Sequence, residues 1–154
     1  MAEQSKNAVA TIKEFLAKLE LASVKSQVKS ADALADNALA GMTKNFTAAL
    51  DDDFNTPQAL AAVFELINAL HKRVWAISRK DAAALQKTIL NNLGSLGFQL
   101  KRDKVPAKIL SLVKKREALR AKNEYGLADD FRKQIEVVGY KVEDTPLGPL
   151  VLSK

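Results

Sequence analysis

The chain has 154 residues, 47% of them hydrophobic and 27% charged, enough for one globular domain or a domain with a small appendage. It has no cysteine and one histidine, His71, which excludes a thiol nucleophile, a Cys-x-x-Cys redox pair and every cysteine-containing zinc site. The formal net charge is +6, and it is unevenly spread: residues 1–97 carry 11 Lys/Arg against 10 Asp/Glu, and residues 98–154 carry 13 against 8.

Val9, Ile12, Phe15, Leu16 and Leu19 recur at helical spacing, which predicts an amphipathic helix over 4–22. The polar stretch Ser23–Ser30 reads as a loop or frayed end. A second helix is expected from about Ala31, with Ala35, Ala38, Leu39, Met42, Phe46, Ala49 and Leu50 on one side. Asp51-Asp52-Asp53-Phe54-Asn55-Thr56-Pro57 combines acidic and cap-forming residues with a proline suited to a first helical turn. A third helix starts there, with Leu60, Val63, Phe64, Ile67, Leu70, Val74, Trp75 and Ile77 recurring at three and four. Asp81 can cap a fourth helix carrying Leu85, Ile89, Leu93 and Leu96, and Gly94 and Gly97 are suited to end it. Four such helices fit an antiparallel bundle over 1–97.

Residues 98–105 lose the period and bring Lys101, Arg102 and Lys104 together before Pro106, as a linker does. Fifth and sixth helices are expected over about 106–122 and 125–138, the latter stopped by Gly139. Tyr140–Glu143 and Leu150–Leu152 flank the turn-forming Asp144-Thr145-Pro146-Leu147-Gly148, which predicts a hairpin. The fold class is therefore mainly α: an antiparallel helical bundle followed by a small helix-helix-β-hairpin module at 106–154. No run of about 18 apolar residues is present for a membrane-spanning helix, and the first residues lack a signal-peptide core.

The three aspartates lack the spacing of a calcium loop and read as helix-start electrostatics; no metal site is expected. His71 has no nucleophile or metal-ligand partner in sequence, Trp75 continues an apolar stripe, and neither a phosphate-binding Gly-rich loop nor a nucleophile elbow occurs. The fifth helix is different. On a wheel at about 100° per residue, with Ile109 at zero, Val113 falls at about 40°, Leu112 at about 300°, Arg116 at about 340° and Arg120 at about 20°. Two arginines thus lie within the apolar stripe, where they must snorkel, pair with Asp129 or Asp144, or face a ligand. Lys122, Tyr125, Arg132 and Lys133 surround them. Arginine can bind phosphate or a guanine edge through two nitrogens, and tyrosine can stack on an unpaired base.

Phe46–Ala61 (FTAALDDDFNTPQALA), followed by Phe64-Glu65-Leu66, resembles the opening of the helical domain that follows the catalytic domain in cysteinyl-tRNA synthetases. Arg116, Arg120, Ala128-Asp129, Arg132, Gly139 and Glu143-Asp144-Thr145-Pro146 with Gly148 resemble the same family's C-terminal module, so the likeness covers residues 8–148. It implies an anticodon-binding-type bundle lying along the tRNA and a terminal module reading the anticodon loop. Carried over, Arg116 and Arg120 are the base-reading arginines, Asp129 and Asp144 accept from bases or orient those arginines, and Tyr125 stacks. Arg132 belongs to the same set, while Lys101, Arg102, Lys104, Lys108 and Lys122 are expected on phosphates.

Two departures stand out: Tyr125 occupies a position often held by Trp, and Pro149-Leu150-Val151 replaces the usual Thr-x-Trp after Gly148. Both nucleotide-binding signatures of the family, of the His-Ile-Gly-His and Lys-Met-Ser-Lys-Ser types, are missing. The resemblance therefore implies a cytoplasmic, tRNA-binding part of a cysteine-tRNA ligase, without the catalytic domain and inactive alone. ATP and zinc are expected only in that absent domain, and the partners are the tRNA for cysteine and the parent's catalytic domain, with no membrane. The alternative is a free-standing RNA-binding or protein-interaction module derived from that family.

Overall fold

A computed structural model describes residues 2–100 and 104–154, with the side chains of 2–5 left aside. It divides into two compact units at the Lys101–Arg102 bond.

The first unit contains α1 (Ala2–Lys25), α2 (Ala33–Asp51), α3 (Thr56–Leu70), a short 3-10 turn (Val74–Ala76) and α4 (Arg79–Ser95). The turn after Asp51 folds α3 back on α2, and α1 lies against α4. Ser26, just past α1, meets the start of α4: its hydroxyl donates to the Ile77 carbonyl at 2.7 Å and its carbonyl accepts from Arg79 Nε at 2.7 Å. Consecutive helices therefore alternate in direction, and Leu19, Val63, Leu66, Leu70, Leu85, Ile89 and Leu93 fill the interior. Burying such side chains contributes about 1.5–3 kcal/mol each before the entropy of ordering is set against it.

Three local expectations are corrected. The third helix stops at Leu70 rather than continuing to Ile77. Val74 and Ile77 are fully buried all the same, because the 3-10 turn and the extended backbone of Ile77 turn both toward the same core while the chain reverses. The cap of α4 is Ser78 instead of Asp81. The two form a reciprocal pair, Ser78 Oγ accepting from the Asp81 N–H at 3.2 Å and donating to Asp81 Oδ2 at 2.8 Å. The same Oδ2 accepts from the Asp32 N–H, and Asp32 caps α2, so one buried carboxylate ties two helix starts together.

The aspartate run closes α2 instead of opening α3: Asp51 is the last residue of α2 and Asp52 its cap. Asp53 and Phe54 turn through the left-handed region at φ 49° and 55°, and Asn55 caps α3 by accepting from the Gln58 N–H at 3.2 Å. Asp51 and Asp52 thus sit at the negative end of the α2 dipole, where their charge is unfavourable.

The second unit contains α5 (Ala107–Ala121), α6 (Tyr125–Val137) and the antiparallel strands β1 (Tyr140–Thr145) and β2 (Gly148–Ser153). Gly139, at φ 90°, ends α6, since a side chain there would be strained. The register runs from Tyr140 opposite Ser153 to Thr145 opposite Gly148. At the tip, Thr145 Oγ1 donates to the Gly148 carbonyl at 2.6 Å. Ile109, Val113, Ile135 and Val142 form the core, with Val105, Leu112, Tyr140 and Val151 against it. Ala128, Leu150 and Leu152 are buried as well, but the apolar interior of the unit remains small enough for a single polar pair to affect its stability.

Candidate nucleic-acid interface

The α5–α6 hairpin and the end of β1 bring Arg116, Arg120 and Asp144 together. Val142 points into the core, and side chains alternate along a strand, so Asp144 lies on the same face two residues further on. There its carboxylate meets α5. Arg116 Nη1 donates to Asp144 Oδ1 at 2.8 Å and Nη2 to Oδ2 at 2.9 Å, and Nη1 also donates to Glu117 at 2.5 Å. This is a fork-to-carboxylate pair, the strongest geometry available to arginine.

The two arginines on the apolar stripe differ in fate. Arg116 is 1% exposed, and both of its terminal nitrogens are engaged within the unit. A base-reading role for Arg116 therefore does not fit its position, and the pairing with Asp144 left open by the wheel is the one found. Arg120, one turn on, keeps 37% of its side chain exposed; its Nη2 lies 3.4 Å from Asp144 Oδ2. Its guanidinium carbon stands 6.0 Å from the centre of the Tyr125 ring. Tyr125 is 55% exposed, and its hydroxyl donates to Asn123 Oδ1 at 3.0 Å. Asp144 thus spends its carboxylate on both arginines while Arg120 and Tyr125 face outward, held but accessible.

The hydrogen bonds from Arg116 hold the Asp144 carboxyl below its ordinary value of 3.8, helped by the charges of Arg116, Arg120 and Arg132 and opposed by burial. The same pairing raises the Arg116 guanidinium above its ordinary value, against the effect of burial. A carboxyl whose folded value is lowered stabilises the fold fully above its unfolded value and loses that contribution as pH falls through the folded one. The stability difference between the wild type and Asp144→Asn is therefore expected to shrink as pH is lowered from about 5 to about 2. Hydrogen exchange of the Ile109 and Val142 amides across that range checks this.

The remaining predicted residues scatter. Arg132 is exposed and its Nε donates to Glu136 at 3.2 Å, though its charge reaches Asp144. Lys122 and Asp129 are exposed, on the turn and on α6. Lys104 and Lys108 are exposed near the start of α5, and Lys108 lies about 18 Å from Arg120 along the helix at 1.5 Å per residue. Lys101 and Arg102 lie outside the described residues. The basic residues of this unit are therefore a spread of positive charge around one organised centre.

Two residues of that centre were not picked out from the sequence. Asn123 adopts φ 62° in the α5–α6 turn and holds the Tyr125 hydroxyl; an asparagine between two helical segments is the available signal, because it tolerates the left-handed region. Glu117 shares Arg116 with Asp144, and no spacing rule marks a pairing between adjacent helical residues. Among the described residues no group of three or more His, Asp or Glu is placed to hold a metal ion, and no helix is long and apolar enough to cross a membrane.

Residues 45–101 match the DALR domain family. The chain is similar to the cysteine–tRNA ligase of Oenococcus oeni, 35% identical over 75% of this chain and 26% of that protein. With the enzyme of the same name from Methanosarcina acetivorans it shares 32% identity over 97% of this chain and 33% of the relative, and with that of Thermococcus gammatolerans 28% over 95% and 33%. The chain thus spans about a quarter to a third of the length of these relatives.

Proposed function

We propose that this chain, which belongs to the cysteine–tRNA ligase family and carries a DALR domain, binds the tRNA for cysteine and discriminates its anticodon through the second unit. The observation that carries the reading is the exposed Arg120–Tyr125 pair held from behind by Asp144. A stacking ring beside a half-free guanidinium suits a splayed, single-stranded base, which offers a face to stack on and edges to hydrogen-bond. Anticodon bases are of that kind.

In this reading Arg116 is a positioning residue: it fixes Asp144, which fixes Arg120. Lys104, Lys108 and Lys122, with Lys101 and Arg102, contact phosphates and supply affinity without sequence information. The chain contributes recognition to ATP-dependent cysteinylation and leaves the chemistry, with its ATP and zinc, to a catalytic domain elsewhere. A second reading, docking on another protein, is favoured by Leu127 and Val137 on α6 and Val138 at its cap, which are 55%, 87% and 55% exposed.

A salt titration separates the two. If the lysines and arginines of the second unit neutralise phosphates, the logarithm of the association constant for tRNA falls against the logarithm of salt concentration with a slope of at least roughly three to five. A slope near zero contradicts the electrostatic account and favours the protein-docking reading.

A further inference from the structure

Arg120 and Tyr125 belong to different helices, and one residue between them touches both. Past the end of α5 the Asn123 N–H donates to the Arg120 carbonyl at 3.0 Å, and the Glu124 N–H donates to the Leu119 carbonyl at 2.9 Å. Two such bonds around a left-handed residue make a Schellman ending. Asn123 is that residue, at φ 62°, and among the described residues of the second unit no other non-glycine residue has a positive φ. Its backbone thus fixes the chain just where it leaves Arg120.

The turn alone does not account for an asparagine. Glycine meets the same backbone demand without a Cβ penalty. What asparagine adds is an amide oxygen, and that oxygen accepts from the Tyr125 hydroxyl at 3.0 Å. Among the described residues the amide makes no other hydrogen bond. Asn123 is exposed, so the bond serves no core. Tyr125 is the first residue of α6 and 55% exposed, so neither a preceding helical turn nor close packing restricts its rotamers. A bond at the far end of the ring does. Of phenylalanine, tyrosine and tryptophan, only tyrosine carries a hydroxyl to make it. Held in this way, the ring centre stays 6.0 Å from the Arg120 guanidinium carbon.

We infer that Asn123 is a positioning residue for base discrimination, an inference that rests on the anticodon reading: its backbone and its amide hold the Tyr125 ring in register with the Arg120 guanidinium before RNA arrives. Asp144 holds the pair from the arginine side, and Asn123 holds it from the ring side. A side chain ordered in advance spares the complex the entropy of ordering it.

Full-length chains carrying Asn123→Gly, Asn123→Asp, Tyr125→Phe, and Asn123→Gly with Tyr125→Phe test this against the wild type. Asn123→Gly keeps the left-handed turn and removes the acceptor, Asn123→Asp keeps an acceptor, and Tyr125→Phe keeps the ring and removes the donor. Dissociation constants for the tRNA for cysteine and for a non-cognate tRNA are measured at one salt concentration, and NMR relaxation of the ring at position 125 is measured in the free chains. The ratio of non-cognate to cognate constants is expected to fall roughly 2- to 12-fold in Asn123→Gly and in Tyr125→Phe. It falls no further in the double variant, because both changes cut the same bond, and it recovers in Asn123→Asp. The ring is more mobile in the free Asn123→Gly chain than in the wild type. An unchanged ratio in Asn123→Gly overturns the inference, and so does an equal loss on both RNAs, which leaves Asn123 a turn residue alone. A fall confined to Tyr125→Phe also overturns it and makes the hydroxyl an RNA contact. A wild type without preference for its cognate tRNA removes the anticodon reading itself, and the discriminating role of Asn123 with it, whatever the ring relaxation shows.

Discussion

Asp144→Ala is expected to destabilise the second unit by about 3 kcal/mol, the lower part of the range for breaking a buried ion pair by removing one partner. The cost arises at Arg116. That guanidinium is 1% exposed, so without Asp144 it stays desolvated with Glu117 as its remaining carboxylate partner. The residual Glu117 contact is the reason for choosing the lower end. The reverse change, Arg116→Met, is milder electrostatically, because Asp144 has 48% of its side chain exposed and can rehydrate.

Replacing both, as Arg116→Met with Asp144→Leu, is expected to restore most of the stability, since a well-packed apolar pair often equals a buried ion pair. A double-mutant cycle followed by hydrogen exchange of the Ile109 and Val142 amides measures all three. Trp75, the chain's one tryptophan, lies in the first unit, and its fluorescence transition should not move. A shift of the Trp75 transition equal to that of the second-unit amides would contradict the local assignment.

Arg120→Ala is expected to weaken binding of the tRNA for cysteine by roughly 1–3 kcal/mol while changing a non-cognate tRNA little, as loss of a base contact does. Arg120 is part-exposed and its removal leaves the Arg116–Asp144 fork in place, so folding stability should change little. That independence separates the two arginines experimentally: the 116 position is read in stability, the 120 position in discrimination. Equal weakening on both RNAs would make Arg120 a phosphate contact instead.

The limits of α5, α6 and the hairpin were legible in the sequence because Pro106, Gly139 and the Thr145–Gly148 turn leave the backbone few alternatives. The end of α3 was not, since Val74 and Ile77 keep helical spacing although a 3-10 turn delivers them to the core. Asp51–Asp53 misled for a related reason. Carboxylates before a helix start are commonly favourable, but here the preceding helix still occupied the first of them.

The candidate site shows the same division. Two arginines about 40° apart on the wheel are indistinguishable from spacing alone. Which one is buried depends on where β1 delivers Asp144, 28 residues along the chain from Arg116, and that is a tertiary fact.

If the exposed, preorganised Arg120–Tyr125 pair reads a base, losing the guanidinium must show in discrimination. Its most direct measurement is the ratio of dissociation constants for the non-cognate tRNA and the tRNA for cysteine, at one fixed salt concentration, for the wild type and Arg120→Ala. The ratio is expected to fall by roughly 5- to 150-fold in the variant, the equivalent of about 1–3 kcal/mol. A ratio unchanged by the substitution, with the wild type preferring its cognate tRNA, would place discrimination elsewhere in the molecule.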